Sequence, residues 1–215
     1  MPEVTVASLE SRLQKQVESA RAAFEQGRHD HAIETAAAVL AEQPACLPVR
    51  KLLRAAQLKR VADRSGLFGR LVTSVSSSPF VLAGTLVLQE QPAKAVANAD
   101  KALLRDPNNS AALLLLGRAA AALGWTETAV FAFESARENE PDRPELLLSL
   151  GQALLTAGRA TEAVKVAEET LRLQPNNADA LGLLRAASVA VTLAQGNWEE
   201  NGDYRRKLAK GAGPA

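Results

Sequence analysis

An all-α solenoid of antiparallel helical hairpins stacked side by side is the fold that the sequence predicts, and three observations carry it. Pro107, Pro141 and Pro175 recur at a 34-residue step. Between them whole phrases return: Leu116-Gly117 as Leu150-Gly151, Gly124 as Gly158, and Ala129-Val130 as Ala163-Val164. Within each period the apolar residues fall at three- and four-residue spacings, the pattern of helices with a buried face. Self-similarity at this period is the mark of stacked helix pairs, none of which can bury its own apolar surface alone.

The best-defined period is 110–143. Ser110 to Leu123 is apolar nearly all round, as expected of a helix with neighbours on several sides. Gly117 sits in its middle, where glycine costs about 1 kcal/mol relative to alanine, so a close helix crossing is expected there. Gly124, free to adopt positive φ, should end this helix. A second helix, about 126–139, carries Ala129, Val130, Phe133 and Ala136 on one stripe, opposed by Glu127, Glu134 and Glu138. Pro141 cannot extend it. The period 144–177 repeats the plan.

These residues resemble the tetratricopeptide repeat, whose pattern is met by Leu113, Leu116-Gly117, Ala120, Ala129, Phe133 and Pro141, then by Leu147, Leu150-Gly151, Leu154, Ala163, Ala167 and Pro175. Three positions depart from it. Leu113 stands where tryptophan is typical, Ala120 where tyrosine is typical, and Ala167 replaces the aromatic residue. The resemblance implies one right-handed α-solenoid domain over 1–215, with repeats at about 13–46, 76–109, 110–143 and 144–177, a degenerate stretch 47–75, a capping helix 178–195 and a C-terminal segment 196–215.

The first hairpin places Ala20, Phe24 and Gly27 in its first helix and turn, and Ala32, Ala36 and Val39 in its second, before Pro44. His29 and His31 flank Asp30 in the turn, two residues apart, a separation that puts no two side chains on one helix face; a solvated turn is expected and no metal site. The stretch 47–75 breaks the rhythm. Leu47 to Ala62 is helical in pattern, with Arg50, Lys51, Arg54, Lys59 and Arg60 on its polar side and Arg64 continuing the basic run. Gly66, Gly69 and Ser74 to Ser78 then suggest a loop. The uncharged run 71–89 is of membrane-spanning length, but its serines, threonines and Pro79 speak against a crossing, and the repeat register assigns Leu82, Ala83 and Leu86 to a packed helix. Pro92 suits the start of the next helix. Beyond Pro175, Ala178 to Gln195 is a lone helix with Leu181 and Leu184 in phase. Asn197 and Glu200 then form a capping-box pattern, and Trp198, Tyr204 and Leu208 offer an apolar edge for a cap.

Composition narrows the function. A chain of 215 residues that is 47% hydrophobic can bury a substantial core, and its formal charge of +1 provides no global field for nucleic acid or membrane. The single cysteine, Cys46, rules out an internal disulfide and a cysteine-based zinc cluster. The amino-terminal residues have no signal-like apolar core, which sets a cytoplasmic location as the expectation. No constellation of catalytic residues or phosphate loop stands out, so no enzymatic activity and no cofactor are expected. What remains is binding.

In the resembled family the first helices of successive units line a concave groove. Carried onto this chain, its wall residues are Phe80, Val87, Leu114, Arg118, Leu148, Gln152 and Leu155, with Ala121 and Thr156 further along. The expectation is a non-enzymatic scaffold that holds an amphipathic helix or apolar peptide of a protein partner. Family members that clamp a terminal carboxylate use several Lys, Arg and Asn residues, and only Arg118 and Gln152 resemble those. A second copy of the chain, or its own terminal segment, is the competing occupant. The alternative function is a peripheral adaptor contacting lipid head groups, acidic protein or nucleic acid through Arg50, Lys51, Arg54, Lys59, Arg60 and Arg64.

Overall fold

The computed structural model describes residues 2–64 and 70–196. A short 3-10 turn, Val6–Ser8, precedes ten α-helices: α1 Ser11–Glu25, α2 His29–Glu42, α3 Leu47–Arg64, α4 Arg70–Val87, α5 Pro92–Arg105, α6 Ser110–Ala122, α7 Thr126–Arg137, α8 Pro144–Thr156, α9 Ala160–Leu173 and α10 Ala178–Gly196. Among the described residues there is no strand. Consecutive helices pack in order from α4 to α10, an all-α repeat solenoid, while α1, α2 and α3 pack with one another at the amino-terminal end.

Local chemistry sets the hairpins. Gly27, Gly124 and Gly158 have φ of 73°, 74° and 77° and close α1, α6 and α8. At each, two backbone bonds fold the chain back. The Trp125 N–H donates to the Ala120 carbonyl (2.8 Å) and Gly124 to Ala121 (3.0 Å); Arg159 and Gly158 do the same to Leu154 (2.8 Å) and Leu155 (3.1 Å). The left-handed residue makes this pair possible, and glycine adopts it without a Cβ clash. Asn109 and Asn177 cap α6 and α10, each side-chain oxygen accepting a backbone N–H at 2.9 Å.

The repeat positions form the core. Leu113, Leu116, Ala120, Ala129 and Phe133 are buried, as are Leu147, Leu150, Leu154, Ala163 and Ala167. The two helical glycines serve different neighbours. A Cβ on Gly117 would sit closer than 3.0 Å to the Phe133 ring of the same hairpin. On Gly151 it would meet Leu183 of α10 equally closely. Ala167 stands where Phe133 stands in the preceding unit, and Leu183 of the next helix takes the place of that ring against the helical glycine.

Several expectations are overturned. Ser74 to Ser78 lie within α4, not in a loop, and Pro79 is inside the helix. The carboxy-terminal half of α4 is held by packing: Phe80, Val81, Val87 and Leu88 press on the core and Gly84 is buried against Leu115. That face excludes Leu82, Ala83 and Leu86. Leu82 is 64% exposed and Leu86 78%, because α3 packs on α2 instead of covering α4. Leu181 is 37% exposed although its counterparts Leu113 and Leu147 are buried, since α10 is the last described helix of the stack. Thr192 stands one period after Gly158, without glycine's freedom, and α10 runs on to Gly196. His29 and His31 lie in the first turn of α2, not in the connecting turn. The expected capping box at Asn197 and the apolar edge from Trp198 to Leu208 lie outside the described residues, as do Gly66 and Gly69.

Candidate protein-interaction groove

The basic helix does not present all of its cations to solvent as expected. Arg50 and Arg54 are only 3% and 8% exposed. Residues at i and i+4 share a helix face, and the face of α3 that carries Arg50, Arg54 and Gln57 turns toward α5 and α7. The Arg50 guanidinium pairs with Asp100 and donates to the Pro44 carbonyl (3.0 Å). Arg54 donates to the carbonyls of Pro107 (2.8 Å) and Ser135 (3.3 Å) and reaches Glu138 at 3.2 Å. Gln57 Nε2 donates to the Leu103 carbonyl (3.1 Å). Lys51 lies 5.8 Å from the centre of the Phe131 ring. Arg60 pairs with Asp30 at 3.4 Å. Lys59 is exposed, and the Arg64 side chain lies outside the described residues. Arg50 and Arg54, the inward pair, fasten α3 to the solenoid because they satisfy helix-end and loop carbonyls that would otherwise lack a donor.

A concavity lies elsewhere. A cavity of about 480 Å³ opens between α6, α8 and α10, with α7 behind it. Its apolar lining comes from Ala121, Ala129, Phe133, Leu148, Ala153 and Leu183, and its polar lining from Arg118, Thr126, Ser149, Gln152, Thr156 and Asp179. The periodicity builds it. α6 and α8 present the same repeat positions side by side, so Arg118 and Gln152 are equivalent residues one period apart. Small side chains between them leave the hollow.

Of the expected wall residues, Arg118, Ala121, Leu148, Gln152 and Thr156 line the cavity. Four do not. Leu114 is buried in the core, while Phe80, Val87 and Leu155 pack against it. Phe80 also lies under the Arg105 guanidinium, 4.5 Å from its ring centre. Phe80 and Val87 leave the expected wall because α4 turns a different face inward than the register gives it. Asp179 and Leu183 went unread from the sequence. Asp179 is one period after Glu145, so extending the groove count into α10 would have found it.

The polar groups differ in how far they are already used. Ser149 Oγ donates to the Glu145 carbonyl and Thr156 Oγ1 to the Gln152 carbonyl, both at 2.9 Å. Arg118 and Asp179 have no hydrogen-bond or ion-pair partner among the described residues. No group of three or more metal-ligating side chains is present among the described residues, and no described helix is long and apolar enough to cross a membrane. Burial pushes the Cys46 thiol up from its ordinary value, which lowers its reactivity as a nucleophile.

Helical hairpins in a 34-residue phase, closed by left-handed glycines and stacked about an inner groove, define a helical-repeat protein. The tetratricopeptide repeat profile matches residues 82–134 and 126–178, so this part of the chain is built of tetratricopeptide repeats. Comparison with curated proteins returned no significant match. Among solved structures, the first tetratricopeptide domain of human RPAP3 superposes with a TM-score of 0.53 at 22% identity, covering 56% of this chain and 95% of that one. The corresponding domain of Spaghetti (RPAP3), bound to the HSP90 peptide SRMEEVD, gives 0.53 at 23% identity over 55% and 95%. The Sgt2 domain from Aspergillus fumigatus gives 0.54 at 21% over 60% and 87%. At these identities the likeness establishes the fold.

Proposed function

We propose that this protein is a non-enzymatic interaction module that receives a helical, largely apolar segment of a protein partner in the groove between α6, α8 and α10. The observation that carries it is the cavity of about 480 Å³ with Leu148, Phe133 and Leu183 in its lining. A hollow of that size lined by apolar side chains gains free energy when apolar groups of a partner displace its water. A solved relative of the same fold holds a peptide of HSP90, which supports peptide binding as a use of the fold. The groove here is less cationic than a carboxylate clamp needs, since Arg118 is the one cation lining it among the described residues. An apolar helix therefore suits it better than an acidic chain terminus.

The test compares two substitutions at different apolar sites. Partners recovered with the full-length chain from its native cell are identified, and their binding is then measured directly with purified proteins. Leu148→Asp should remove that binding while circular dichroism stays unchanged. Leu82→Asp, on the exposed face of α4, should leave it intact. Binding that survives Leu148→Asp and disappears with Leu82→Asp refutes the groove assignment.

A further inference from the structure

Two charges at the groove are unspent, and their placement says what the partner carries. Arg118 is the ninth residue of α6 and Asp179 the second of α10, and both line the cavity. The first helices run in the same direction, so the two residues stand on opposite walls and about seven residues apart along the helix axes. Seven residues correspond to about 10 Å of rise. Neighbouring helix axes lie about 8–10 Å apart, and two such steps separate α6 from α10. The line from Arg118 to Asp179 therefore crosses the groove diagonally, over Leu148 and Ser149 of α8. Both side chains lack a partner among the described residues, whereas the other acid near this wall, Glu145, already pairs with Arg143 at 3.5 Å.

Resting on the groove reading above, we infer that the occupant is an amphipathic helix lying along this diagonal, with an apolar stripe flanked by an acidic residue at one end, against Arg118, and a basic residue at the other, against Asp179. A helix with its side chains is about 10–12 Å across. Such a rod fits a concavity two helix spacings wide with its stripe on Leu148 and Leu183. Covering Arg118 or Asp179 with an uncharged surface would strip water from an unpaired charge. Charge complementarity at both ends removes that cost and fixes the angle at which the rod lies. Glu145 shares Arg143 with Glu140, so the charges at the remaining corner are already engaged with one another.

Three synthetic helical peptides with one shared leucine stripe test this by fluorescence anisotropy against the full-length protein. The first ends in Glu and Lys, the second in Glu at both ends, the third in Lys at both. Wild type should prefer the mixed peptide by ~two- to fivefold per mismatched end, the range of a partly solvated ion pair. Arg118→Glu should move the preference to the doubly basic peptide, and Asp179→Asn should erase discrimination at the basic end alone. If wild type binds all three equally, or Arg118→Glu leaves the ranking unchanged, the charge assignment is wrong while the apolar groove stands. If wild type binds none of them, or binds them as well after Leu148→Asp, the groove reading itself fails. Circular dichroism of each variant checks that the fold is retained.

Discussion

The Glu3 carboxylate accepts hydrogen bonds from both the backbone N–H (2.7 Å) and the hydroxyl (2.5 Å) of Thr128, a contact that ties the amino terminus to the first turn of α7. A second oxygen of Glu3 accepts from the Glu127 N–H at 3.2 Å. Nothing local to α7 does this work, because Trp125 stands at its N-cap and makes no side-chain cap bond. Beside Glu3, the Val4 N–H donates to the Ala45 carbonyl (3.1 Å), and Val4 packs against both apolar clusters of the molecule.

Removing this remote cap should cost as much as removing a local one. Glu3→Ala is expected to lower stability by about 1–2 kcal/mol, since it orphans two backbone donors and the Thr128 hydroxyl. Thr128 is fully buried, which leaves water no access to that hydroxyl. Urea unfolding of Glu3→Ala, Thr128→Val and the double variant should show coupling between the two sites; additive losses would mean that the contact contributes nothing.

Arg54 and Arg60 should behave differently although both belong to one basic helix. Arg54→Met removes the donor to the Pro107 loop carbonyl and to the Ser135 carbonyl in the last turn of α7, and should cost about 1–3 kcal/mol. Arg60→Met breaks an exposed pair at 3.4 Å and should fall within about 0.5 kcal/mol of wild type. Denaturant midpoints measured side by side decide this, and equal effects would contradict the inward orientation of Arg54.

Glycines in two helices should answer oppositely to the same change. Gly117→Ala puts a methyl against the Phe133 ring and should cost about 1–3 kcal/mol despite alanine's better helix propensity. Gly182→Ala points its methyl into open space and should gain about 0.5–1 kcal/mol. Phe133→Leu should soften the first penalty, and Leu183→Ala should soften that of Gly151→Ala. Thermal unfolding of these variants reads the packing directly.

Acid should weaken the repeat junctions modestly. Hydrogen bonds from Arg159 to Glu162, and from Arg143 to Glu140, hold both carboxyls below the usual carboxylate range. A depressed folded value means that the contribution is complete above the unfolded value of about 4.3 and is lost as pH falls through the lower folded value. Both pairs are largely solvated, so each is worth under about 1 kcal/mol. Glu162→Gln should therefore be less stable than wild type at pH 6 and match it by about pH 2.5; a gap that persists in acid would rule out the ion pair as its source.

The 34-residue step, the helix-ending glycines at 124 and 158 and the buried positions from Leu113 to Ala167 were readable in the sequence because each depends on local backbone freedom or on side chains within one hairpin. The family resemblance likewise assigned Arg118, Leu148 and Gln152 to the groove, and all three line the cavity. Which face of α4 turns inward was not readable, since it depends on Leu115 reaching Gly84 and on α3 leaving Leu82 and Leu86 uncovered. Nor could the inward turn of Arg50 and Arg54 be read. A row of cations looks the same in sequence whether water or a set of unpaired carbonyls faces it, and only the packing of α3 on α5 and α7 brought Asp100, Pro107 and Ser135 within reach. Repetition along the chain thus dictated the hairpins, while contacts between residues distant in sequence, from Glu3 to Thr128 and from Arg54 to Ser135, decided how the amino-terminal helices close on the stack.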